Sequence, residues 1–337
     1  MVLMAALVVV LVAGVALALW WGGTAYQRWD PQPGSEHPTA RTVAVRYVRG
    51  VALAVTGGFW AGLLVTGPAV RLAMRLLAVT GGDDAQGRIT EAEELVGTIS
   101  LGGTIGLVLF GGVLPGLLSG ALYVVVRRLL PDGRLGGVAF GALHLLVAAT
   151  RIDPLRPDNP DFDLVGPGWL SVVVFGLAAV AHGMAVAAYV NRYSHHLPPP
   201  EPARADLDRV VGAGSTARTS ARRAKAIAPL ILPALLFIPG VVVLVPVVAG
   251  LVVTVAASRV GALVRAARSD AALLVGRLAL GAVALAYLPG AVADLHDVVV
   301  RDDRPAASAS EPPGLPGGAA ASATCGPGRG FVRLTRQ

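Results

Sequence analysis

Long stretches free of Asp, Glu, Lys and Arg recur along this chain, and they constrain its fold more than any other feature. A helix crossing a bilayer needs about 20 apolar residues, because the hydrocarbon core is about 30 Å thick and each residue rises about 1.5 Å. On that measure spans fall near residues 2–21, 50–70, 97–126, 135–150, 169–190, 227–257 and 271–293. The expected fold is an all-α polytopic transmembrane helix bundle of about seven spans over residues 1–298, with no soluble domain. Composition agrees. Of the 337 residues 54% are hydrophobic and 15% charged, whereas soluble domains carry about 25% charged residues. Residues 299–337 are rich in Pro, Gly, Ala and Ser and are expected to be disordered.

Three spans are irregular. The first lacks a basic leading region and a small-residue cleavage site, so it reads as a retained helix rather than a signal peptide. The segment 135–150 is short and needs Arg134 and Arg151 to snorkel. The segment 227–257 contains Pro229, Pro233, Pro239 and Pro246, each of which removes a helical hydrogen bond. It reads as one broken span or as a re-entrant hairpin, and two full spans do not fit in its length.

Alternating the sides of the loops puts 19 basic residues on one side and 9 on the other. The richer side should be cytoplasmic, which gives an N-terminus outside, a C-terminus inside and a place in the plasma membrane. The four arginines in 259–277 fit this badly, and a re-entrant sixth segment would reverse everything after it. The net charge of +7 thus reads as topology, spread over separate loops, and argues against nucleic-acid binding. Arg222, Arg223 and Lys225 precede a span and can attract anionic lipid, or simply anchor the helix. Residues 258–270 carry an apolar face flanked by arginines, as in a helix lying in the interface. Lys225 is the only lysine, so no Schiff base can form within the bundle. The single cysteine, Cys325, excludes a disulfide framework and a four-thiolate metal site.

Two acidic loops stand out. One holds Asp83, Asp84, Glu91, Glu93 and Glu94, with Thr90 and Glu93 spaced as a capping box for the third helix. Arg71 and Arg75, one turn apart, are candidate partners across it. The other, RIDPLRPDNPDFDLVGPGWL, has prolines at every third position and projects Asp153, Asp158, Asp161 and Asp163 from a stiff connector. Its resemblance to a calcium loop fails, because Leu164 stands where the turn glycine belongs and Leu170 where the bidentate Glu belongs. Both loops fall outside in the expected topology and together form a candidate contact surface.

Within the spans, Gly112, Gly116 and Gly120 line one helix face and suggest close helix packing, within the chain or between copies of it. His144, His182 and Arg277 are candidate intramembrane polar groups. Helix rise from Arg151 and from Trp169 puts the two histidines about 10 Å apart in depth, which argues against a shared ion. Arg277 is close enough to an interface to snorkel. No hydrolase, zincin, CxxC or phosphate-loop signature occurs, and Gly212, Gly214 and Ala217 match a dinucleotide pattern only in a short polar loop. The sequence therefore implies no cofactor, no metal and no enzyme. Two functions remain: a permease-like bundle for a small solute or ion with acidic outer loops, or a non-transporting scaffold that binds a protein partner through those loops.

Overall fold

In the computed structural model, residues 1–27, 40–197, 249–254 and 269–301 are described, residues 92 and 251 excepted. Arg222, Arg223, Lys225, Cys325, most of the segment 227–257, nearly all of the expected interfacial helix and the expected disordered tail beyond residue 301 lie outside them. The described helices are α1 (Val2–Trp21), α2 (Ala40–Ala61), α3 (Gly67–Thr80), α4 (Leu101–Leu107), α5 (Leu114–Val126), α6 (Arg134–His144), α7 (Gly168–His196) and α8 (Asp270–Arg301). No strand occurs among the described residues, and one isolated antiparallel bridge joins Ile89 to Leu95.

The eight helices form six rods. Five are long and apolar enough to cross a membrane: Val2–Trp21, Val43–Thr80, Leu101–Val126, Gly168–His196 and Asp270–Val300. The sixth, Arg134–Ala149, is shorter. Three rods contain a π-helical turn, at Gly62–Thr66, Val108–Val113 and Leu145–Ala149. The first two have a local cause. Pro68 and Pro115 enter α3 and α5 just after them. A proline ring strikes the carbonyl four residues back, here Leu64 and Gly111, and a wider turn there accommodates it.

The second rod starts well before residue 50. Arg46 and Arg49 continue α2 beyond the apolar run, and Arg49 donates to the carbonyls of Ser194 (2.7 Å) and Leu197 (2.9 Å) at the end of α7. The third helix starts later than its capping-box pattern suggested. Ser100, not Thr90, is its N-cap and accepts from the Gly103 amide. Thr90 and Glu94 instead close the tip of a short hairpin, where the Thr90 amide donates to the Glu94 carbonyl and the Glu94 amide to Thr90 Oγ1. Glu93 sits in that turn with φ 58°.

Helix α7 is the axis of the bundle, with Ala185, Val186, Tyr189 and Val190 wholly buried. Glycines set the closest crossings. A Cβ on Gly116 would strike the Gly58 carbonyl, and one on Gly120 the Ala54 carbonyl, so α2 and α5 touch backbone to backbone. The crossing of α6 and α7 is built the same way from Gly141 and Gly183. Helix α1 packs into the bundle, where the Tyr189 hydroxyl donates to the Gly14 carbonyl at 2.8 Å and Trp21 meets Tyr189 edge-on.

Helix α8 runs antiparallel to α7. Its first half meets Leu129 at Gly276, and its second half meets Gly168 at Val298 and pairs Asp294 with Arg151 at 3.3 Å. Arg301 therefore lies at the same end as Val2, because α1 leads to Gly22 beside Arg134 at the opposite end. Seven alternating spans would have put the end of the last one opposite Val2. The chain between α7 and α8 leaves and returns at one end.

Candidate functional site: a histidine pair and an acidic rim

The sequence separates His144 and His182 in depth, and the structure brings them together. Their ring centroids are 5.4 Å apart. The glycine crossing, not the loop ends, sets the register of α6 against α7. Gly141 packs on Val180, so His144, three residues on, stands about one turn from His182. Arg151 and Trp169 are not level, which is why rise measured from them misleads.

Four helices meet at this pair. His144 Nε2 lies 2.7 Å from Ser119 Oγ, and His182 Nε2 lies 2.8 Å from the same oxygen. His182 Nδ1 is 2.6 Å from Thr66 Oγ1, and His144 Nδ1 is 3.1 Å from the Phe140 carbonyl. Because that carbonyl can only accept, His144 Nδ1 carries a hydrogen and its Nε2 accepts from Ser119. Ser119 then accepts from His182 Nε2, and His182 Nδ1 accepts from Thr66. One assignment with both imidazoles neutral thus satisfies every nitrogen. The Thr66 hydroxyl gives its one hydrogen to His182 Nδ1 and not to the more distant Ala61 carbonyl at 3.4 Å, so the chain runs from the buried Thr66 hydroxyl to the Phe140 carbonyl. With each ring nitrogen engaged, no imidazole lone pair is left for a metal ion. Lone hydroxyls inside apolar runs, Thr66 and Ser119, were the sequence signal for the bridging groups.

Arg277 does not join them; it is exposed on α8, away from the histidines. The glycines singled out by spacing lie where the second rod crosses the third: Gly112 in the π turn before α5 faces Gly67 of α3, and Gly116 and Gly120 of α5 face Gly58 and Ala54 of α2.

The two acidic loops fold against each other at the end of the bundle where α3 stops and α7 starts. Arg156 Nη2 donates to both carboxylate oxygens of Glu91 at 2.7 Å, and its Nε lies 3.2 Å from Asp158. The Glu91 carboxylate holds the Arg156 guanidinium above its ordinary pKa. The Glu91 amide donates to Asp161 Oδ1 at 2.8 Å. Asp161 is buried, and that burial pushes its carboxyl above the usual range, against the lowering effect of this hydrogen bond. Leu155, Phe162 and Val165 sit beneath the rim in a cluster with Leu77 of α3 and Val298 of α8.

The cation for Glu91 is thus Arg156, from within the second acidic loop, not Arg71 or Arg75. Those two face α4 and the hairpin: Arg71 Nε donates to Thr104 Oγ1 at 3.2 Å and Arg75 Nη1 to the Gly97 carbonyl at 2.9 Å. Asp83 and Glu93 are exposed. Asp153 Oδ1 lies 3.5 Å from the Asn159 amide nitrogen. The side chains of Asp84 and Asp163 lie outside the description.

No known protein family, no curated protein and no solved structure matches the chain.

Proposed function

We propose that the chain is an integral protein of the cell membrane whose acidic rim faces outward and binds a protein partner, with the helical bundle as a closed scaffold beneath it. The closure of the histidine chain carries this reading. A conducting proton or ion path needs a donor and an acceptor at each end, whereas here the chain stops on the Phe140 carbonyl at one end and on the buried Thr66 hydroxyl at the other, with every ring nitrogen used. Arg277 supplies no intramembrane charge in the interior. The rim, by contrast, is a built surface that holds Glu91, Glu93, Glu94, Asp158 and Asp161 on a fixed frame.

The distribution of basic residues supports the orientation. With α8 running back toward the rim, the loops 22–49, 127–134, 191–225 and 259–277 fall at the other end with four, three, seven and four Arg or Lys. That makes eighteen, against ten on the rim side, and the four in 259–277 now fit the cytoplasmic side. In this topology the six rods make six crossings, with Val2 and the end of α8 both on the rim side.

One observation favours transport instead. The π turn Gly62–Thr66 contains Thr66, and the π turn Leu145–Ala149 begins beside His144, and such bulges recur where helices do work. Flux decides between the two readings. Purified protein is reconstituted in liposomes, and proton, sodium, potassium and chloride leaks are measured with internal dyes under imposed gradients. The scaffold reading expects no flux above empty liposomes. A flux that H182A or S119A abolishes would overturn it.

A further inference from the structure

We infer that the cleft between α3, the hairpin at residues 87–96 and α4 holds a small zwitterionic headgroup, its phosphodiester on Arg71 and Arg75 and its ammonium on Glu94. The site shares Glu94 with the rim but does not rest on the partner reading, since Arg71, Arg75 and α4 stand on the bundle side of the hairpin.

The cleft has a volume of about 90 Å³, and three segments line it. Arg71 and Arg75 come from α3, Glu94 from the hairpin, and Gly103 and Leu107 from α4. Two guanidinium groups four residues apart on one helix repel each other, and the Glu94 carboxylate across the cleft offsets that repulsion at Arg71. Each is fixed by a single hydrogen bond, Arg71 Nε to Thr104 and Arg75 Nη1 to the Gly97 carbonyl. A guanidinium has five N–H donors in a planar fork, so those bonds set its plane and leave the terminal groups for a bidentate oxyanion. Neither arginine forms an ion pair among the described residues.

Glu94 supplies the opposite charge on the facing wall. Its carboxylate lies over Gly103, where a Cβ would meet Glu94 Oε1 at 2.8 Å, so the missing side chain makes its room. Two cations beside one carboxylate mirror a phosphodiester beside a primary ammonium. The floor is apolar, with Met74, Ala78 and Leu107 beneath the charges.

The position favours a lipid as the source. Thr104, the partner of Arg71, is in the first turn of α4, where the apolar rod begins. Leu101 and Ile105 on that turn are 65% and 57% exposed and offer a track for an acyl chain. A soluble amino-acid-like zwitterion has the same charges but no chain to lie there. A quaternary choline has no N–H to give Glu94 and is the natural counter-ligand.

The test titrates the full-length protein in detergent with short-chain phosphatidylethanolamine and phosphatidylcholine, and with glycerophosphoethanolamine, which has the headgroup but no chains. Native mass spectrometry reads the bound fraction. We expect ethanolamine lipid to bind about tenfold tighter than choline lipid, the worth of one charge-assisted hydrogen bond. E94Q should erase that preference without weakening choline lipid, and R71Q should weaken both lipids about tenfold. R71K, which keeps the charge but loses the fork, checks that the fold tolerates change at this position and should weaken binding at an unchanged melting temperature. Competition by glycerophosphoethanolamine would assign the zwitterion site to a soluble ligand. Failure to compete, with the E94Q effect intact, would assign it to the bilayer. An ethanolamine preference unchanged in E94Q, or affinities unchanged in R71Q, would overturn the site.

Discussion

His144 and His182 share one hydroxyl, Ser119 Oγ, at 2.7 and 2.8 Å, so a single serine on α5 joins α6 to α7. Removing it leaves two imidazole nitrogens without a partner, and unsatisfied buried groups cost more than a made hydrogen bond yields. We expect S119A to destabilise the protein by about 1–3 kcal/mol, against about 0.6 kcal/mol for an ordinary interhelical hydrogen bond in a membrane. T66V, which breaks only the end link, should cost less. Reversible unfolding in bicelles measures both, and equal small losses would remove the histidine chain as a structural clasp.

The glycines divide into two groups that a single substitution should separate. A Cβ on Gly116 meets the Gly58 carbonyl, whereas one on Gly106 meets nothing within 4 Å. G116A should therefore cost about 1–3 kcal/mol through forced separation of α2 and α5. G106A should be neutral or stabilise by up to about 1 kcal/mol, the helix propensity gained over glycine. Melting in one detergent compares them, and a G116A protein as stable as G106A would contradict the crossing.

Asp161 makes the rim pH-sensitive in a definite direction. Its folded pKa is raised by burial, so between its ordinary value of 3.8 and that raised value the folded rim binds more protons than the unfolded chain. Stability attached to this group is then greatest in acid and declines as pH rises through the window. D161N keeps the acceptor for the Glu91 amide and removes the buried charge. Hydrogen exchange of that amide, corrected for its intrinsic rate, should lose protection as pH rises through that window in the natural chain and hold steady in D161N. Parallel profiles would mean that Asp161 is not the titrating group.

Much of the helical fold was legible because the length of an apolar run is a coarse signal that survives local detail. Spans near 2–21, 135–150 and 169–190 coincide with rods to within a few residues, apart from the longer C-terminal end of α7. Signals dependent on local chemistry fared worse. Thr90 and Glu93 have capping-box spacing, but the pairing of Ile89 with Leu95 claims that stretch for a hairpin, and Ser100 next to the apolar run is the actual cap. The histidine pair was hidden because depth was measured from loop ends, while glycine contacts at Gly137, Gly141 and Gly183 fix the register. Pro68 and Pro115 marked π turns that periodicity cannot show. The direction of α8 depends on chain between residues 197 and 269, where the sequence allows one crossing or a return.

That direction, with the orientation of the rim, is also the most direct test. In a chain with Cys325 replaced by serine, single cysteines at Asp158, Asp297 and Asp132 are probed with a membrane-impermeant maleimide, first in intact cells and then in opened ones. We expect D158C and D297C to label in intact cells and D132C only after opening. Labelling of D158C without D297C would contradict the course of α8. Labelling of D132C alone in intact cells would contradict an outward-facing rim.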